Sequence, residues 1–418
     1  MRVLMISFQF PPQADTSGVQ RVLRFVQDLA PLGWDSSVVT ARASAYERID
    51  ATNLPAAVLP PGTVVHRPFT PDAKRHFALA GRYPAWLARP DRWVAWVPVA
   101  VAAGLAAVRR ERPQVLWSSY PIASAHLAAH ALSRLTGLPW VADFRDPMAH
   151  DGYPADPALW RSFRRVEERV FARARRMVFT TAGAAALYRA RYPARAADCA
   201  VVPNGYDEAS FELAAARPRV ARPAGAPLRL LHSGVVYPEW RDPGALFEAM
   251  ARLRRSHPGL PAWGLDFRAA GHEAFVQQRA GAHGVLDQLR LLPPLPYVDA
   301  LAEMLAADAL LLLQGAGCND QIPAKLYEYL RARRPILGLA DPGGATGAAL
   351  QAAGVPLVAA LEDPAAIAAA LVQCLSDVQQ GRAVLPQADA VAAASRRQRA
   401  AQLADLFETV RRDTARPA

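Results

Sequence analysis

Residues 320–337 read DQIPAKLYEYLRARRPIL: an acidic loop with a proline, a helical pattern, and the start of an apolar run over 335–339. Loop, helix and strand in that order form one unit of an alternating α/β chain. The same alternation extends in both directions from this stretch. Apolar runs at 3–7, 38–40, 115–118, 140–143, 177–180 and 200–202 predict a first set of buried parallel strands. Runs at 228–232, 265–270, 289–292, 309–313, 335–339 and 355–358 predict a second set. Amphipathic stretches lie between them, as in 18–32, where Val19, Val22, Leu23, Val26 and Leu29 fall at helical spacing. The expectation is an α/β protein with two Rossmann-like open-sheet domains, their strand carboxyl ends facing a central cleft.

The break between the two sets is legible. Asn204-Gly205-Tyr206-Asp207 is a turn signal, and residues 214–227 are rich in Ala, Pro and Arg without apolar periodicity, as a linker would be. We therefore expect an N-terminal domain over 1–210, a C-terminal domain over 228–390, and a helix and tail over 391–418. The charged helix over 392–412 carries Leu403, Leu406, Phe407 and Val410, and is expected to cross back to the N-terminal domain.

A chain of 418 residues with 52% hydrophobic and 20% charged residues is globular and long enough for two cores. Its three cysteines, Cys199, Cys318 and Cys374, are scattered without zinc-ligand spacing, which points to a reducing compartment and a cytoplasmic location. Residues 1–7 read as a strand, without the pattern of a signal peptide. The net charge of +11 invites nucleic acid as a partner, but no helix-turn-helix, zinc-finger or RNA-recognition signature accompanies it. The excess suits an anionic membrane surface or anionic substrates. One run, residues 93–108 (WVAWVPVAVAAGLAAV), is too short to span a bilayer and reads as a buried helix. Peripheral membrane docking is the competing reading, because Trp86, Trp93 and Trp96 lie near arginines.

Candidate site residues gather at predicted strand ends. The chain writes nearly every cation as arginine, and its two lysines are Lys74 and Lys325. Lys325 reads either as a surface lysine inside a helix start or as part of an anion site, with the backbone over Ile322, Pro323 and Ala324 lying at a helix start that favours anions. Asp320 and Glu328 bracket that helix start, eight residues apart. After the first strand, Gly18 opens a helix where backbone could approach a ligand. In WVADFRDPM, Asp143 ends a strand, and His126 lies near a helix start. In the second half, Gly234 and Arg241 follow a strand in LHSGVVY and its loop, and His272 stands at a similar junction. Each of these also has a purely structural reading.

The segments FPPQADTSGVQRVLRF, WVADFRDP, VPNGYD, the HSG loop and IPAKLYEYLRARRPIL occur in this order. Together they resemble the GT-B-fold retaining glycosyltransferases of glycosyltransferase family 4, over essentially the whole chain. The resemblance implies an enzyme that moves a sugar from a nucleotide diphosphate sugar to an acceptor hydroxyl, with retention. It further implies that Glu328 holds the nucleotide ribose and Asp320, in place of the family's usual Glu, contacts the sugar. Arg241 and Lys325 would hold the diphosphate, and Gly18 corresponds to the glycine loop. No metal or other cofactor is implied. The expected partners are the donor and a saccharide or lipid-linked acceptor, in bacterial polysaccharide or lipopolysaccharide synthesis, with nucleic acid excluded. A nucleotide-sugar epimerase and a catalytically silent binding subunit are the alternatives.

Overall fold

The computed structural model describes residues 1–13, 17–49, 59–218, 223 and 225–415. Parts of the loop over 8–17 and of the stretch over 214–227 therefore lie outside the described residues. The chain divides into two compact units, one of residues 1–204 and 396–418, the other of residues 205–395. The division falls at the Asn204-Gly205 turn, so the stretch expected to be a linker lies inside the second unit.

The first unit holds seven parallel strands: β1 (Arg2–Ile6), β2 (Asp35–Val39), β3 (Val64–His66), β4 (Val115–Ser119), β5 (Trp140–Arg145), β6 (Arg176–Phe179) and β7 (Cys199–Val201). Their order is β3-β2-β1-β4-β5-β6-β7. The second unit holds six: β8 (Leu228–Ser233), β9 (Trp263–Arg268), β10 (Leu289–Leu292), β11 (Ala309–Gln314), β12 (Ile336–Ala340) and β13 (Val358–Ala359), in the order β10-β9-β8-β11-β12-β13. Every pairing is parallel. The central strands β4 and β11 are buried throughout because helices cover both of their faces. In each sheet the winding reverses once, between β1 and β4 and between β8 and β11. Loops leaving the carboxyl ends of those two strands diverge there and open a crevice.

The apolar run over 93–108 forms the helix Trp96–Glu111. Trp96, Ala100, Gly104 and Ala107 recur every three or four residues and are buried, so one face of this helix belongs to the core. Among the described residues no helix is long and apolar enough to cross a membrane.

The helix Arg396–Ala415 returns to the first unit. Its Ala400, Leu403, Phe407 and Val410 join Val22, Phe25, Val26 and Leu29 of the helix Ser17–Leu29 in one buried cluster. The Phe407 ring meets Trp34 edge-on, with centroids 5.3 Å apart.

Candidate functional site

In the second unit, the residues with chemistry collect at the carboxyl ends of β8 and β11, where the winding reverses. The helix Ala324–Ala332 follows β11 and starts after Pro323, whose φ of −63° is already helical. Leu326, Tyr327, Tyr329 and Leu330 anchor it in the core, which leaves Lys325 and Glu328, three residues apart, on its partly covered face. Pro323 is buried and Ile322 packs beside the same core, so both fix the path of the chain into the helix.

Lys325 is unusual in its partner. Its Nζ lies 3.1 Å from Nε2 of His232, a fully buried residue of β8. Nδ1 of His232 faces the Leu311 carbonyl oxygen at 3.0 Å. A carbonyl can only accept, so Nδ1 carries the proton and Nε2 offers its lone pair to the ammonium. Burial and the adjacent Lys325 charge push the imidazole well below its ordinary pKa, so it stays neutral. Lys325 itself is held well below the usual lysine range by burial first and by Arg241 second, with Glu328 opposing.

Arg241 comes from the loop after β8. A turn whose Trp240 and Arg241 N–H groups both donate to the Tyr237 carbonyl carries it back over the strand end. Its guanidinium lies 5.2 Å from the centre of the Tyr237 ring and donates to Val235 O at 3.0 Å. Burial lowers its pKa. Among the described residues no carboxylate stands within ion-pair distance of either Arg241 or Lys325. Gly234 adopts φ +120°, and a methyl group there would sit 2.9 Å from Lys325 Nζ. Only glycine combines that backbone with room for the ammonium. The geometry is that of two partly covered cations and a helix amino terminus, which suits an anion of high charge.

Glu328 accepts a hydrogen bond from the Tyr297 hydroxyl at 2.8 Å, which orients its carboxylate. Asp320 is exposed in the loop before the helix. Ala324 opens that helix, and His272 precedes the helix Glu273–Ala282, exposed, its ring 6.4 Å from Tyr237. Sequence reasoning missed His232, Tyr297 and Tyr237. His232 stood inside the quoted LHSGVVY segment, but a histidine within an apolar strand reads as core.

In the first unit two residues expected to be catalytic are buried. Asp143 is fully buried and clamped by Arg21, with Nε–Oδ2 at 2.9 Å and Nη2–Oδ1 at 3.0 Å. Ser119 Oγ donates to the same carboxylate at 3.2 Å. These contacts hold Asp143 within the sheet end. His126 is also fully buried, its Nδ1 2.8 Å from Ser118 Oγ and its ring against Phe144 and Trp140. Desolvation lowers its pKa to about 4, which makes it a neutral core residue. Gly18 does allow a close approach, but of the protein's own groups: a methyl there would strike Gln9 Oε1 and Arg145 Nη1.

What the first unit does offer is a cavity of about 390 Å³ lined by Phe8, Gln9, Gln13, Tyr46, Trp93 and Ile122. Phe8 and Gln9 follow β1 and Ile122 follows β4, so this cavity too marks the reversal of winding. Two buried polar atoms of its lining residues, Gln13 Oε1 and Trp93 Nε1, have no hydrogen-bond partner among the described residues.

Residues 17–205 match the model of the glycosyl transferase 4-like domain. The match covers most of the first unit, and the chain as a whole has the GT-B fold. Its fold is similar to that of sucrose-phosphate synthase from Thermosynechococcus elongatus, at 15% identity and a TM-score of 0.64, covering 98% of each chain. Anabaena HepE, in a structure with UDP, is 14% identical with a TM-score of 0.67, over 98% of this chain and 100% of HepE. The trehalose 6-phosphate synthase of Burkholderia multivorans is 15% identical, with a TM-score of 0.63 over 99% of each chain. No curated protein matches this chain in sequence.

Proposed function

We propose that this protein is a glycosyltransferase that moves a sugar from a nucleotide diphosphate sugar to an acceptor hydroxyl with retention at the anomeric carbon. The observation that carries this reading is the Lys325–Arg241 pair: two cations with no carboxylate partner among the described residues, one of them resting on a neutral histidine. A diphosphate supplies the missing charge. Related structures hold UDP and, in HepE, UDP-glucose, which supports the same class of donor. Glu328, oriented by Tyr297, is assigned to the ribose hydroxyls, Asp320 to the transferred sugar, and Gly234 to the passage that lets backbone reach the phosphates.

In the reaction the bond from the anomeric carbon to the diphosphate oxygen breaks as the bond to the acceptor oxygen forms on the same face. The acceptor proton passes to the departing phosphate oxygen. Arg241, Lys325 and the N–H groups at the helix amino terminus stabilise charge that grows on the leaving group, so transition-state binding exceeds ground-state binding. The cavity of the first unit, with aromatic walls and two unmet polar atoms, is assigned to a saccharide or lipid-linked acceptor. Synthesis of a surface polysaccharide or lipopolysaccharide is the setting these features suit.

Thermal shift with UDP, GDP and ADP, followed by incubation with the matching nucleotide sugars, tests the proposal. Nucleotide release that depends on an added acceptor is the expected result. An isomerised donor without acceptor would make the protein an epimerase, and stabilisation without turnover would make it a silent binding subunit.

A further inference from the structure

Between β3 and the helix Trp96–Glu111 the chain leaves the first unit's sheet at its edge. Residues 69–89, FTPDAKRHFALAGRYPAWLAR, then place large apolar side chains outside the core. Leu79 is 86% exposed and Trp86 69%, and Phe69 and Phe77 are exposed beside them. Trp93 and Trp96, a few residues on, turn inward to the core, so the outward setting of Trp86 is particular to this segment.

The tip is built rather than loose. Leu79 and Arg82 exchange two backbone hydrogen bonds, Leu79 N to Arg82 O at 2.8 Å and Arg82 N to Leu79 O at 3.0 Å. The two residues between them, Ala80 and Gly81, have φ of +50° and +75°, the signs of a type I′ turn. A non-glycine residue at positive φ is disfavoured, so the tight turn that holds Leu79 out is kept against a local cost.

Charge distinguishes the possible occupants. The segment carries Lys74, Arg75, Arg82 and Arg89 against a single carboxylate, Asp72, which is fully buried. Among the described residues neither Lys74 nor Arg82 has a carboxylate within ion-pair distance. One of the chain's two lysines thus stands in solvent beside exposed aromatic and aliphatic groups. A protein interface concentrates apolar groups at its centre and lowers its charge there. Here cations of one sign are interleaved with Trp, Phe and Leu, the pattern that seats at a lipid headgroup boundary.

We propose that residues 69–89 form a docking surface for an anionic lipid bilayer, with Leu79 and Trp86 entering the headgroup layer and Lys74 and Arg82 meeting lipid phosphates. The same segment runs on into Arg92 and Trp93 at the acceptor-side cavity, so docking would bring that cavity close to the bilayer. The inference does not depend on the donor chemistry, because vesicle binding is read without any nucleotide sugar.

Co-sedimentation of the full chain with vesicles of phosphatidylcholine, alone or mixed with phosphatidylglycerol, tests it. Binding to the mixed vesicles should be at least about tenfold tighter and should weaken as salt rises. Lys74→Glu with Arg82→Glu should lower it roughly tenfold, and Leu79→Ser with Trp86→Ser by a similar factor. Both double variants should keep the melting temperature and nucleotide-induced stabilisation of the parent, since all four side chains are exposed. Equal affinity for the two vesicle types, absence of binding, or insensitivity to either double variant would overturn the proposal. So would light scattering showing that the parent self-associates and that Leu79→Ser with Trp86→Ser abolishes only this.

Discussion

The two units share a sheet plan and differ in what they do with charge at the reversal of winding. In the first, Arg21 and Asp143 meet in a buried bidentate pair, and the ion pair closes the sheet end. In the second, Lys325 leans on a neutral imidazole and Arg241 on a carbonyl and a ring face, so their charge stays uncompensated. The first arrangement favours a folded sheet. The second is costly to the folded state, and in the proposed reading the donor diphosphate would offset that cost.

Substitutions should pull the two arrangements apart. Asp143→Ala leaves Arg21 buried without its carboxylate and should destabilise the first unit by about 3–5 kcal/mol, read as a lower midpoint in denaturant. Lys325→Met should act in the opposite sense. It removes a poorly compensated charge, so the melting temperature should hold or rise, while kcat/KM falls on the order of a hundredfold to a thousandfold, as when one preorganised donor to a developing anion is lost. A parallel loss of stability in Lys325→Met would show that the ammonium is structural, and the contrast between the units would collapse.

The smallest effect concerns His126. Its folded pKa of about 4 lies below the unfolded value near 6.5, so the unfolded chain binds the extra proton between those limits. The contribution is complete above pH 6.5 and is lost as pH falls toward 4. Lowering pH from 7 to 5 should cost about 2 kcal/mol through this group alone. His126→Gln should flatten that part of the stability profile, and an unchanged profile would place the titrating group elsewhere.

Legibility in the sequence followed the range of the interaction involved. Apolar runs such as 309–313 announced β11, because a strand buried on both faces writes its burial into consecutive residues. β3 went unread: Val64-Val65-His66 is too short to show a period and lies at the sheet edge. The spacing of Lys325 and Glu328 on one helical face could be read locally. The Arg21–Asp143 pair could not, since its members are 122 residues apart. The burial of His126 was hidden for the same reason. Nothing near it in sequence reveals that the Ser118 hydroxyl, which accepts from Trp140 Nε1 at 2.8 Å, waits beside it in the core. His232 was hidden by company: its role depends on a lysine 93 residues later.

The return of the last helix to the first unit sets an order on synthesis. The second unit is one continuous segment and can complete its core while the ribosome is still at work. The first begins earlier yet finishes later, because Val22, Phe25 and Val26 stay uncovered until Leu403, Phe407 and Val410 have emerged. For most of translation the amino-terminal half is therefore an unfinished body carrying a greasy flank, and its maturation is timed by the final twenty or so residues of helix.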